Sequence, residues 1–160
     1  MKNNKINIHF LGAASTVTGS KYLVDTGDRK ILIDCGLFQG LKELRLKNWE
    51  YLPVEVSKID VVLLTHGHLD HTGYLPRLVK QGYNGPIYGT NPTLDIAKII
   101  LNDSAKIQEQ EAARANKEGY SKHSPAVPLY DLKDVEKTIS HFKGVPQSQW
   151  IPLFDGIRAR

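Results

Sequence analysis

The chain predicts a layered α/β fold, and three observations carry that prediction. Short apolar runs rich in β-branched residues, Ile31-Leu32-Ile33 and Ile59-Asp60-Val61-Val62-Leu63-Leu64, are bounded by turn chemistry and read as buried strands. Segments with helical spacing follow, each with a start or stop signal. Four side chains able to bind a metal, His66, His68, Asp70 and His71, fall within six residues directly after the second run. The C-terminal end of a strand, just before a helix, is where layered α/β folds build their sites.

The elements follow in order. Ile6 to Phe10 alternates and reads as an opening strand. Gly12 to Ser20, small and glycine-bearing, reads as a tight loop over the sheet; its spacing matches neither a Walker A nor a dinucleotide-binding pattern. Tyr22-Leu23-Val24 and Lys30 to Asp34 form an antiparallel hairpin around the Asp25-Thr26-Gly27-Asp28 turn. Leu37 to Tyr51 reads as a short surface helix or irregular loop. After the histidine cluster, Leu75, Leu78 and Val79 have helical spacing, with Gly82 as the stop, and Pro86-Ile87-Tyr88 is a short strand. Asn91-Pro92 signals a helix start, with Asn91 as the cap. That helix runs through Leu94, Ala97, Ile100 or Leu101 and Ile107, and stops at Gly119. Its second half is polar almost all round and reads as an exposed helix or one that projects towards a second domain. Asp103-Ser104, in its middle, is a remote candidate for facing the site. Ser121 to Pro128 is a loop with His123 at the surface. Asp131 and Asp134 cap a helix whose stripe is Val135, Ile139 and Phe142, with His141 in its last turn and Gly144 as its end. Asp155-Gly156 marks a closing hairpin.

Length and composition set limits. The 160 residues suffice for one domain with a real core. The net charge of +4 permits a polyanionic partner without arguing for one. A single cysteine, Cys35, excludes an internal disulfide framework and fits a reducing compartment. The opening Met1-Lys2-Asn3-Asn4-Lys5 is not a signal core, and no apolar run approaches membrane-spanning length. A cytoplasmic protein is expected.

The cluster has its own logic. Neutral imidazole suits zinc, manganese or iron, and a neighbouring carboxylate adds charge. His66 and His68 alternate on an extended backbone and can point to one side; Asp70 and His71 follow a bend and can serve a second ion. Asp34 ends an apolar strand, where a carboxylate is costly unless paired. It reads either as a turn cap or, better given the cluster nearby, as a group that orients a ligating histidine from behind. Cys35 reads as a small buried hydrophobe rather than a ligand.

The run His66-Gly67-His68-Leu69-Asp70-His71 resembles the signature of the metallo-β-lactamase superfamily, whose αββα sandwich is then the expected fold. The resemblance gives one zinc to His66 and His68 and a second to Asp70 and His71. It gives Asp70 the further role of orienting the nucleophile and puts Asp34 close to the metals without ligating them. Val17-Thr18-Gly19-Ser20, Ile33 to Gly40, Thr65 to Pro76, Asp103 to Gln108 and Pro128-Leu129-Tyr130 are similar to the β-CASP branch of RNA-processing nucleases, related to the cleavage and polyadenylation endonuclease. That branch implies a zinc-dependent hydrolase cleaving RNA phosphodiesters, with endo- and exonuclease both open. It implies RNA as partner; the lack of a long apolar run leaves no membrane partner expected, and an exposed sheet edge allows a homodimer. In the family a third histidine for the first zinc, a bridging aspartate, a later histidine and the β-CASP cap follow; residues 1–160 therefore read as the N-terminal part of a longer enzyme, inactive or weakly active alone. A thioesterase or lactonase on the same fold and a non-catalytic scaffold are the competing readings.

Overall fold

The computed structural model describes residues 5–121 and 123–160. The opening residues Met1 to Asn4 and one position of the Ser121–Pro128 loop lie outside the described residues. A six-stranded sheet forms the centre, in the order β1 (Asn7–Phe10), β2 (Tyr22–Asp25), β3 (Lys30–Ile33), β4 (Val61–Leu63), β5 (Ile87–Thr90) and β6 (Phe142–Val145). The first three strands are antiparallel, and β3 to β6 are parallel. Among the described residues five α-helices connect or flank them: α1 (Lys42–Leu46), α2 (Leu69–Thr72), α3 (Leu75–Lys80), α4 (Asn91–Glu118) and α5 (Leu132–Ile139). A separate hairpin, β7 (Ile151–Phe154) and β8 (Ile157–Ala159), turns at Asp155-Gly156 as expected.

Strand register sorts the side chains. Leu23, Leu32, Val62 and Ile87 align across β2 to β5 on one face. They are buried with Leu75 and Leu78 of α3, Leu94 and Leu101 of α4, and Val135 of α5 in a single core. The opposite face carries Ile8 and Val24 in one row and Phe10, Tyr22, Ile33, Leu63 and Tyr88 in the next. It is less covered: Ile8 is 57% and Phe10 65% exposed. The hairpin lies over part of this face, and the cleft between them, about 850 Å³, is lined by Ile33, Leu63, Tyr88 and Ile151.

The expectations for α4 and α5 are corrected at several points. Thr90, not Asn91, caps α4: its hydroxyl accepts from the Thr93 N–H, and the helix starts at Asn91, one residue earlier than expected. Asn91 is engaged elsewhere, since a Cβ on Gly144 would lie 2.0 Å from its Oδ1. Gly144 is therefore a point of close approach rather than a helix stop. The helix ends at Ile139, and Phe142-Lys143-Gly144-Val145 joins the sheet beside β5, because pairing with Ile87 to Thr90 satisfies a whole ladder of backbone groups. His141 thus leaves the last turn; its Nδ1 meets the Gly85 carbonyl at 3.0 Å. On α4, Leu94, Ala97, Leu101 and Ala105 are buried but Ile107 faces outward. The polar second half is partly docked, since Gln108 and Glu109 accept hydrogen bonds from the Leu129 and Leu132 amides. Gly119 closes the helix in the left-handed conformation that glycine favours.

Candidate metal centre

Four segments meet at the C-terminal end of β4. The segment Thr65 to Asp70 leaves the strand and enters α2, whose first turn carries Asp70 and last turn His71. The loop after β3 carries Asp34 to Gly36; its backbone is pressed against α2, with Cys35 N donating to His71 O (2.8 Å) and Leu37 N to Leu69 O (3.2 Å). Only glycine fits at position 36: a Cβ there would sit 1.6 Å from the Asp70 carbonyl oxygen. Ser20, leaving the loop after β1, donates its N–H to Asp70 O and accepts from Gly36 N. The start of α4 packs Ile96 over Gly67.

Asp34 is the hub. Its side chain is only 3% exposed, and its backbone takes a positive φ of 58°, a conformation that aspartate tolerates better than most side chains. One carboxylate oxygen accepts from the Thr65 N–H (2.8 Å) and the other from His71 Nδ1 (2.7 Å). The Thr65 hydroxyl lies 2.8 Å and 3.0 Å from the two oxygens, and Ser20 Oγ 3.4 Å from one. Four donors thus compensate the cost of burying this charge.

The network assigns the imidazole tautomers. His71 spends Nδ1–H on Asp34, which leaves its Nε2 lone pair free, 3.6 Å from Asp70 Oδ2. Thr65 gives its single hydroxyl proton to Asp34, so its oxygen accepts from His66 Nδ1 at 3.0 Å. His66 therefore also keeps Nε2 free. Burial, aided by the neighbouring His71 and His68, holds its pKa below the usual histidine value and favours the neutral ring. The His66 ring centroid lies 3.9 Å from that of His71 and 4.7 Å from that of His68.

The structure therefore brings all five predicted residues, His66, His68, Asp70, His71 and Asp34, into one region. The rings lean on one another rather than converge: among the described residues, no three His, Cys, Asp or Glu side chains are grouped closely enough to hold a metal ion. The donor chemistry nevertheless fits one. Neutral imidazoles with free Nε2 atoms beside a carboxylate are what zinc takes, and the hydrogen bonds behind the rings set their orientation. Cys35 is fully buried, and that burial pushes its thiol up to about 12; it packs in the core as a small apolar side chain. His123 is exposed, Asp103 is exposed, and Ser104 is spent on the Tyr130 hydroxyl (2.9 Å). Thr65 was missed by sequence reasoning. Its only signal was a hydroxyl at the strand end directly before the cluster.

Comparison with known proteins now adds to the geometry. Residues 16–141 match the metallo-beta-lactamase superfamily. The chain belongs to that superfamily. It is similar to ribonuclease TTHA0252 of Thermus thermophilus, 37% identical over 142 residues, covering 89% of this chain and 28% of that protein. It is also similar to the transcription termination factor FttA of Methanocaldococcus jannaschii, 35% identical over 136 residues, covering 85% of this chain and 19% of the relative. The chain thus spans well under a third of these relatives' length. Among solved structures, the metallo-beta-lactamase SMB-1 matches with a TM-score of 0.51 at 17% identity over 95% of this chain and 48% of that one. That likeness speaks for the fold alone, and the fold agrees with the α/β expectation. The resemblance to the RNA-processing branch agrees with relatives named a ribonuclease and a termination factor. Among the described residues no helix is long and apolar enough to cross a membrane.

Proposed function

We propose that this chain is the histidine-bearing, N-terminal part of a zinc-dependent ribonuclease that hydrolyses RNA phosphodiesters in the cytoplasm. The observation that carries the reading is the buried Asp34 network, which leaves Nε2 free on both His71 and His66 beside the Asp70 carboxylate. The similarity to a ribonuclease supports RNA as the substrate. The small share of that relative's length supports a longer protein that completes the ligand set.

In this reading His66, His68, Asp70 and His71 hold the metal. Zinc, when bound, lowers the pKa of water and stabilises charge on phosphoryl oxygens. Asp70 is the catalytic residue: its second oxygen accepts a proton from the attacking water and aligns it with phosphorus. Asp34 keeps the His71 proton on Nδ1, and Thr65 does the same for His66. The cleft lined by Thr65, Tyr88 and Thr90 runs beside the cluster and offers room for a strand of substrate. The open outer edge of β1, with Ile8 and Phe10 exposed, suits association with a second copy.

The test is zinc content and hydrolysis of end-labelled RNA by the full-length protein and its Asp70→Ala variant. Cleavage lost in the variant is expected, and fragment lengths separate endo- from exonuclease action. Equal cleavage by the variant, or rapid thioester or lactone turnover without RNA cleavage, sinks the reading.

A further inference from the structure

Lys21 lies in the core beneath the cluster, 1% exposed. A lysine is almost never buried so deeply without a partner. Among the described residues its ammonium meets no carboxylate. It donates to the Gly19 carbonyl at 3.4 Å and lies 4.5 Å from the Phe38 ring centroid and 4.9 Å from that of Tyr74. Burial lowers its pKa from 10.5 to about 8, so the amine stays charged at neutral pH, but against a desolvation cost. A methionine would fill the same space without that cost.

The three contacts belong to three different segments. Gly19 closes the Gly12–Ser20 loop, whose neck is so tight that a Cβ on Gly12 would meet the Gly19 oxygen at 1.9 Å. Phe38 lies on the loop that follows Asp34, and Tyr74 follows α2. Beside each contact runs a backbone bond into the cluster. Ser20 N donates to Asp70 O (2.9 Å), Gly36 N to Ser20 O (3.0 Å), Tyr74 N to Cys35 O (2.9 Å), and Cys35 N to His71 O (2.8 Å). One cation therefore touches three of the segments whose backbone is bonded around Asp34, Asp70 and His71.

We propose that Lys21 is a positioning residue for the histidine–aspartate cluster, its ammonium pinning the Gly12–Ser20 loop, the Phe38 loop and Tyr74 to one another. The proposal rests on reading that cluster as the metal centre. Cation–π attraction to two rings and a charge-assisted hydrogen bond supply the hold. The expected signature is a split between global stability and local order, because the same charge that costs the fold holds the site.

The experiment compares Lys21→Met with the parent in the full-length protein. Three readouts are taken: the unfolding midpoint, amide hydrogen exchange at Ser20 and Gly36, and zinc affinity. The midpoint should rise by roughly 3–6 °C. Exchange at both amides should accelerate roughly tenfold through local opening, and zinc should bind roughly tenfold more weakly. A raised midpoint with slower exchange at both amides and unchanged zinc affinity overturns the proposal. So does a lowered midpoint with exchange faster throughout the core and zinc binding weakened in step with it, which would make Lys21 an ordinary core residue. Should Lys21→Met fail to fold, Phe38→Leu removes one ring and leaves the amine; unchanged Ser20 exchange in that variant also overturns the pin. Amide exchange needs neither zinc nor RNA. A protein that binds no zinc would thus sink the functional reading while the exchange data still decide this one.

Discussion

The two sides of the histidine–aspartate cluster are held by opposite means. On one side, Asp34 is buried, accepts from Thr65 and His71, and sits on backbone laced to Asp70 and His71 by the Cys35 and Ser20 amides. On the other, His68 is exposed, and among the described residues its ring makes no hydrogen bond; its one ring contact is with His66. The difference teaches how such a site is built. The sheet presets the half that packing can reach, and the other half is left without such a hold. Substitutions on the first side should therefore cost folding energy, and those on the second should cost ligand binding alone.

The comparison breaks most violently at Gly36. Gly36→Ala places a methyl group 1.6 Å from Asp70 O and 2.5 Å from His71 N, both backbone atoms that no rotamer change can move aside. A loss of at least about 3 kcal/mol is expected, at the upper end for overpacking. Thermal unfolding checks it; a variant as stable as the parent would mean that the loops are not pressed together.

Asp34→Ala comes next. It strands the Thr65 amide and His71 Nδ1 and puts an alanine at a φ of 58°. Unsatisfied buried donors cost about 2–3 kcal/mol here. In the proposed reading of the cluster as a zinc site, losing the carboxylate behind His71 should also weaken zinc binding about 10–100-fold. Urea unfolding and competition with a chromophoric chelator measure the two.

The same buried side contains Lys21, and its titration sharpens the contrast. Its folded pKa of about 8 lies below its ordinary 10.5, so between these values the unfolded chain binds more protons and stability rises with pH. A gain of about 1 kcal/mol between pH 7 and 9 is expected, and Lys21→Met should abolish it. Above pH 9 the rise flattens, and it turns over near pH 10, because Cys35, raised from 9.0 to about 12, keeps its proton in the fold while the unfolded thiol loses it. Chemical denaturation across pH 7–10 reads both.

Much of this arrangement was legible in the sequence. Every strand of the central sheet but β6 follows from apolar runs and turn residues, because a buried strand next to glycine or aspartate leaves a local mark. The cluster was legible because its histidines and aspartate lie within six residues. What stayed hidden depends on long-range pairing. Phe142 and Val145 continue a helical spacing, and only β5 alongside makes them a strand. Thr65 looks like any strand-end hydroxyl until Asp34, 31 residues away, comes within 2.8 Å. Lys21 reads as a surface lysine before a strand, and only Phe38 and Tyr74 enclose it.

Thr65 bridges the two sides, so its substitution should give an intermediate result. Thr65→Val removes the hydroxyl between Asp34 and His66 but keeps the shape and the Thr65 amide bond. About 1 kcal/mol of stability should go, the ordinary worth of one such hydrogen bond. Zinc affinity should fall roughly tenfold as His66 loses its fixed tautomer. Thr65→Ser, which retains the hydroxyl, should restore most of both; a serine variant as impaired as the valine one would show that the methyl group, not the hydrogen bond, is what matters.

The smallest effect on folding, and the sharpest on function, belongs to His68. The residue sits at the N-terminal boundary of α2 with extended backbone, and its contribution to the helix is its carbonyl, which accepts from the His71 and Thr72 amides. His68→Ala keeps that carbonyl and removes an exposed ring. Stability should therefore change by no more than about 0.5 kcal/mol. If His68 is a ligand, its loss removes one of a few bonds to the metal, and neither His9, exposed on β1, nor His141, tied to the Gly85 carbonyl, is placed to replace it. Zinc content and RNA hydrolysis should collapse while the unfolding midpoint stays put. A His68→Ala protein that unfolds early would place His68 among the structural residues and erase the division between a preset half and an adaptable one.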